Sequence, residues 1–130
     1  MTSFVDTSAL LAVLHADDAN HQAASDLLRR FAGSPLITHN YVVLETTALL
    51  QRRFGVGAVR LFSERLLPLL EVVWIDTDRH QRALSTLLAR RRRSVSLVDW
   101  ASFELMRELG IGDAFAYDQD FRQEGFALLA

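Results

Sequence analysis

Ser3-Phe4-Val5-Asp6-Thr7-Ser8-Ala9-Leu10-Leu11-Ala12-Val13-Leu14 decides the fold. Three residues of extended, apolar pattern run into Asp6, Thr7 and Ser8, whose short polar side chains cap helices, and an apolar helix begins directly behind them. A strand that turns straight into a helix is the opening half of a β-α crossover. An acid, Asp6, stands at the turn.

Working outward, a second helix opens at Asp17-Asp18, carries Ala24, Leu27, Leu28 and Phe31 at helical spacing, and ends at Gly33. Residues 35–38 read as the second strand, and Asn40 is expected to cap a helix over 41–54 that holds Glu45 in its first turns. Val59, Phe62, Leu66, Leu67 and Leu70 mark a further amphipathic helix with Pro68 near its end. Residues 71–75 read as the third strand, 78–92 as a helix, 94–97 as the fourth strand, a helix from Asp99 to Leu109-Gly110 follows, and 113–117 form the fifth strand. Alternation of short strands with helices predicts an α/β fold, a three-layer α/β/α arrangement around a mostly parallel sheet with right-handed crossovers. One domain over residues 1–130 is expected, without repeats, linkers or low-complexity segments.

Four segments each set one acid among apolar residues: Phe4-Val5-Asp6, Val43-Leu44-Glu45, Leu97-Val98-Asp99 and Phe115-Ala116-Tyr117-Asp118. In open α/β sheets, ligands bind outside the carboxyl ends of the strands. Asp6, Asp99 and Asp118 are predicted at that edge, and Glu45 on a helix entered from it. Each acid also has a local role: Asp6 and Asp118 as helix caps, Asp99 in a capping box with Ser96, Glu45 near a helix dipole. Gathered together, they repel by roughly 4 kcal/mol per pair at about 4 Å and an effective dielectric near 20. That rivals the whole stability of a small domain, about 5–15 kcal/mol. A divalent cation is the simplest remedy, and magnesium takes carboxylate oxygens together with a substrate phosphate.

Composition narrows the chemistry. The chain has no cysteine, which excludes thiolate zinc sites, Fe-S clusters and thiol nucleophiles. All fourteen basic residues are arginine, so no lysine is available as a base or phosphate ligand. The net charge is only −2, so an anionic substrate needs a local patch. Arg90-Arg91-Arg92-Arg93 is the candidate, with two readings: a helix C-terminus favouring cations on a solvated face, or contacts to RNA phosphates. The four histidines, His15, His21, His39 and His80, lack metal-ligand spacing and read as structural or surface residues. No basic leader or bilayer-spanning run is seen, which predicts a soluble, cytoplasmic protein with no membrane partner. Half of the residues are hydrophobic. Some of that apolar surface is expected to be covered by a partner or a second copy, the stripe of Val59, Phe62, Leu66 and Leu70 above all.

Val5-Asp6-Thr7-Ser8-Ala9-Leu10, Leu44-Glu45, Ser96-Leu97-Val98-Asp99 and Ala116-Tyr117-Asp118-Gln119-Asp120-Phe121 resemble, in order and spacing, the acidic motifs of PIN-domain nucleases, and most closely the VapC-type toxins of bacterial toxin-antitoxin pairs. The resemblance spans essentially the whole chain, including Asp18-x-x-His21-x-x-Ala24 and Gly110. It implies an Mg2+- or Mn2+-dependent endoribonuclease with Asp6, Glu45, Asp99 and Asp118 as catalytic and metal-binding acids, and a hydroxyl from Thr7 or Ser8 near the metal. It further implies a homodimer held inactive by a VapB-like antitoxin. Asp113 and Asp120 are candidate auxiliary ligands. Two positions depart from the pattern. Ala116 stands where a threonine is frequent, removing a hydrogen bond to phosphate or metal-bound water. Trp100 stands where a small residue is frequent, either narrowing the site or offering a surface for base stacking.

Rival functions fit less well. A haloacid-dehalogenase-like phosphatase needs a second acid where this chain has Ser8, and a lysine, which a receiver domain needs as well. A metal-dependent adhesion module needs a serine where Leu10 stands. The remaining alternative is a non-catalytic PIN-like module that binds RNA or protein.

Overall fold

The computed structural model describes residues 1–129, so the last residue of the expected domain lies outside the described residues. Among them, in chain order, are β1 (Ser3–Val5), α1 (Thr7–Leu14), α2 (His21–Arg30), β2 (Leu36–His39), α3 (Asn40–Phe54) and α4 (Val56–Leu61). These are followed by β3 (Glu71–Val73), α5 (Thr77–Arg90), α6 (Leu97–Leu109), β4 (Asp113–Phe115), α7 (Asp120–Gln123) and β5 (Ala127–Leu128). The five strands lie in the order β3-β2-β1-β4-β5 and every neighbouring pair is parallel. Helices cover the sheet as a three-layer α/β/α sandwich, the class expected from the alternation of elements.

Central position dictates composition. β1 is flanked by β2 and β4, and Ser3, Phe4 and Val5 are all buried. Phe4 meets Phe121 and His39, while Phe103 joins Trp100, Phe121 and Phe126 in an aromatic core under α6.

Several expectations change. Residues 94–97 form no strand: Ser96 takes extended backbone and caps α6, accepting from the Asp99 amide at 3.1 Å while Asp99 accepts from the Ser96 amide at 2.9 Å. That reciprocal pair satisfies two helix-end donors and outweighs the polar-apolar alternation of the segment. The long amphipathic helix is broken. α4 passes into a π turn at Phe62–Leu66 and a 3-10 turn at Leu67–Leu69, where Pro68 ends the run. Its stripe faces inward, with Phe62 and Leu66 buried, so the exposed apolar surface is carried instead by Leu44, Val56, Leu61, Leu69 and Val72. The last strand is β5, which pairs with β4 and escapes notice because two residues show no alternation.

His39, not Asn40, caps α3. Its Nδ1 accepts from the amides of Tyr41 and Val42 at 3.2 and 3.3 Å, leaving Nε2 to donate to Ser102 Oγ at 2.8 Å. Burial holds this imidazole neutral, with its pKa lowered to about 3. The structural reading of His39 is thereby explained, and the bond ties β2 to α6.

Candidate metal centre

Asp6 leaves the carboxyl end of β1 and caps α1, accepting from the Ser8 amide at 3.2 Å and the Ser8 hydroxyl at 2.7 Å. That hydroxyl accepts in turn from the Tyr117 amide at 2.9 Å, so Ser8 fastens Asp6 to the segment carrying Asp118. The Asp6 amide donates to Phe115 O at 3.0 Å, closing the same link through the backbone. Ser8 is thus fully engaged, whereas Thr7 Oγ1 is buried without a hydrogen-bond partner.

Asp118 follows β4 and accepts from the Asp120 amide at 2.9 Å, an Asx turn that brings both carboxylates to one side. Asp99 stands in the first turn of α6 beside its capping serine. One carboxylate oxygen each from Asp99, Asp118 and Asp120 lie within 4.8 Å of one another. Asp6 and Glu45 stand outside this tight trio but within its field. Asp113 begins β4 opposite Ser3, at the other edge of the sheet.

The electrostatics record the crowding. Burial pushes Asp6 up to about 6 against the pull of its Ser8 hydrogen bonds, and the Asp99 charge adds to the rise. Asp99 is also held above the ordinary carboxylate range, by burial first and then, against its Ser96 bonds, by Asp118 and Glu45. Asp120 rises through burial and the Asp118 charge, with Arg92 pulling the other way. Several acids held partly back from ionisation, by burial first and by one another second, thus bring their oxygens to one place.

The arginine run divides. Glu124, whose side chain is only 4% exposed, accepts from Arg90, Arg92 and Arg107, each at 3.0 Å. Arg90 also lies over the Trp100 ring at 5.1 Å, and Arg92 reaches Asp120 at 3.2 Å. Arg91 and Arg93 are exposed and form no ion pair among the described residues, and both line a hollow that reaches Ser96. Arg91 adopts the left-handed conformation, φ 54°, at the end of α5. Trp100 is fully buried and offers no stacking surface. The Glu124 hub was invisible in the sequence because its partners lie 17 to 34 positions away.

An open parallel sheet with an acidic cluster at its carboxyl edge defines the class, and the PIN domain family matches residues 3–126. The chain belongs to the PIN-domain family. Within it the chain stands with the VapC-type members: it is 39% identical over 126 residues to the 23S rRNA-specific endonuclease VapC20 of Mycobacterium tuberculosis, covering 95% of this chain and 94% of that protein. The crystal structure of Mycobacterium tuberculosis VapC20, a sarcin-ricin loop cleaving toxin, matches with a TM-score of 0.84 and 36% identity, covering 98% of this chain and 97% of that one. FitAcB from Neisseria gonorrhoeae matches with a TM-score of 0.73 at 11% identity over 100% of this chain and 97% of that one, a likeness of fold alone.

Proposed function

We propose that this chain is a metal-dependent endoribonuclease and the toxin of a toxin-antitoxin pair, built as one PIN domain. The observation that carries the reading is the convergence of Asp99, Asp118 and Asp120, with Asp6 and Glu45 in repulsive reach, in a relative of an RNA endonuclease.

The donor set fits Mg2+ or Mn2+, since it is all carboxylate oxygen, and a cation beside Asp6 and Asp99 would favour the ionised form that burial and the neighbouring acids disfavour. Asp6, Glu45, Asp99 and Asp118 are the acids assigned to hold it and to act in catalysis, with Asp120 as a further ligand. When bound, such an ion supplies Lewis acidity toward the phosphate and makes a water nucleophilic near neutral pH. The protein's own part is placement. Ser8 fixes Asp6 against Tyr117, the capping box fixes Asp99, and the Asx turn aims Asp118 and Asp120.

For the substrate, the relatives' names point to a structured loop of 23S rRNA. Arg91 and Arg93 are assigned to its phosphates, while Arg90 and Arg92 serve the fold through Glu124. A VapB-like antitoxin and a second copy of the chain are the assigned protein partners, and the exposed Leu44, Val56, Leu61 and Leu69 supply apolar surface for them. A cytoplasmic location is proposed on the likeness to VapC-type toxins; among the described residues no helix is long and apolar enough to cross a membrane.

Labelled 23S rRNA fragments incubated with the chain, with and without Mg2+ or Mn2+, test the reading. Cleavage is expected only with metal. Tight binding without cleavage under any metal would leave the non-catalytic module.

A further inference from the structure

Trp74 is 66% exposed, yet its backbone is clamped from both sides. Its carbonyl accepts from the Arg79 guanidinium at 2.9 Å, and Arg79 is itself paired with Glu108 at 2.6 Å. The amide of Ile75, the next residue, donates to the Asn40 side chain. A large apolar ring held out into water by a fixed backbone is a surface built to meet something.

Trp74 lines a hollow of about 410 Å3 together with Tyr41, Ile75, Asp76, Thr77 and His80. The Tyr41 hydroxyl is hydrogen-bonded to His80 Nδ1, and the two rings meet edge-on with centroids 5.8 Å apart. The hollow lies on the carboxyl edge of the sheet, the edge at which Asp6 leaves β1. β3 ends one residue before Trp74, and two strand spacings, about 10 Å, separate that end from the end of β1 at Asp6. Tyr41 precedes Glu45 by one turn of α3, on the same face.

We infer that this hollow is a nucleobase subsite: an unpaired base close to the scissile phosphate stacks on Trp74 and turns its polar edge to Tyr41, His80 and Asp76. The inference rests on the nuclease reading above. The lining selects a base over a phosphate, because no arginine lines it and the Asp76 carboxylate repels an anion while accepting from exocyclic amines. Stacking on aromatic side chains is how proteins hold unpaired RNA bases. Trp74 also borders a second, apolar hollow formed with Val43, Leu44, Leu67 and Val72, so an experiment must separate RNA from a protein partner.

The chain contains two tryptophans, and the other, Trp100, is fully buried, so quenching of emission by RNA reports Trp74. Short RNA hairpins bearing the sarcin-ricin loop, titrated into an Asp99→Asn chain with Mg2+ present, are expected to quench part of the emission. Trp74→Phe on that background should bind RNA without the quench. Trp74→Ala should weaken binding about 5- to 150-fold, the equivalent of ~1–3 kcal/mol for one stacked base. Val72→Ala, on the second hollow, should leave RNA affinity unchanged. RNA that binds and is cut by the otherwise unmodified chain without quenching, or equal binding by Trp74→Ala, overturns the subsite and leaves the nuclease reading standing. A Trp74→Ala defect confined to self-association assigns the indole to a protein partner and overturns it as well. A chain that neither binds nor cuts RNA overturns both.

Discussion

Replacing Asp6 with asparagine should stabilise the metal-free protein, and the size of the gain follows from the site. Raising a buried carboxyl from 3.8 to about 6 costs ~3 kcal/mol of stability once the group is ionised. Asparagine caps a helix about as well as aspartate, so the Ser8 amide keeps its acceptor. The short hydrogen bond from the Ser8 hydroxyl is met less well by a neutral amide, which costs ~1 kcal/mol. A net gain of ~2 kcal/mol remains at pH 7.5, which in a domain of this size raises the melting temperature by about 6–10 °C. The sign depends on pH. Between pH 4 and 6 the folded protein retains a proton on Asp6 that the unfolded chain has released, so stability falls as pH rises through that window and is level above it. Asp99 and Asp120, also raised, act in the same direction. His39 acts oppositely: its lowered pKa makes stability rise with pH between about 3 and 6.5. Because His39 is present in both proteins, the difference between them isolates the acid site. Thermal melts in EDTA at matched protein concentration, from pH 4.5 to 8, should show a gap that opens with pH, and Mg2+ should narrow it by stabilising the unmodified chain. A variant that melts at or below its parent at pH 7.5, or a gap that does not shrink in acid, refutes the account.

Asp99→Asn should abolish RNA cleavage without destabilising the metal-free protein, since relieved repulsion offsets the weakened capping box; retained activity or a collapsed fold in parallel melts would sink the assignment. Alanine at Arg91 and Arg93 together should weaken RNA binding almost uniformly across sequences and flatten its salt dependence by about 0.7 in log-log slope for each phosphate no longer neutralised, measured by titration at several salt concentrations. Arg92→Ala should instead lower stability, because Asp120 loses its cation and Glu124 one of its three. Glu124→Ala should cost ~1–3 kcal/mol in urea unfolding, for it removes the shared acceptor of three arginines.

The β-α opening was readable because everything that makes it is local: three apolar residues, a cap and a helix within twelve positions. The errors fall where a nearby pattern serves two structures. Val95 and Leu97 suggest a strand until the Ser96–Asp99 box is allowed to compete, and the spacing of Phe62 and Leu66 is kept through a π turn that no periodicity distinguishes from an α-helix. Asp120 was an open case because two residues after Asp118 is a turn position, and only the Asx geometry folds its carboxylate back. The fate of the arginine run depended on Glu124, about 30 residues away, and spacing carries no information about that meeting.

The capping role of Asp6 and Asp99 and the metal-binding role proposed for them are compatible in one arrangement. Asp6 and Asp99 each accept the amide hydrogens that open a helix, at α1 and α6, while also standing in the cluster. The start of a helix carries partial positive charge, and a hydrogen bond from its amides favours the ionised carboxylate. Those bonds pull the acids down where burial and mutual repulsion push them up. Two helices that begin at one sheet edge therefore let the fold hold several like charges close together, leaving a remaining excess that a divalent cation is suited to meet. Capping does not compete with the site; it is the means by which a small domain tolerates one.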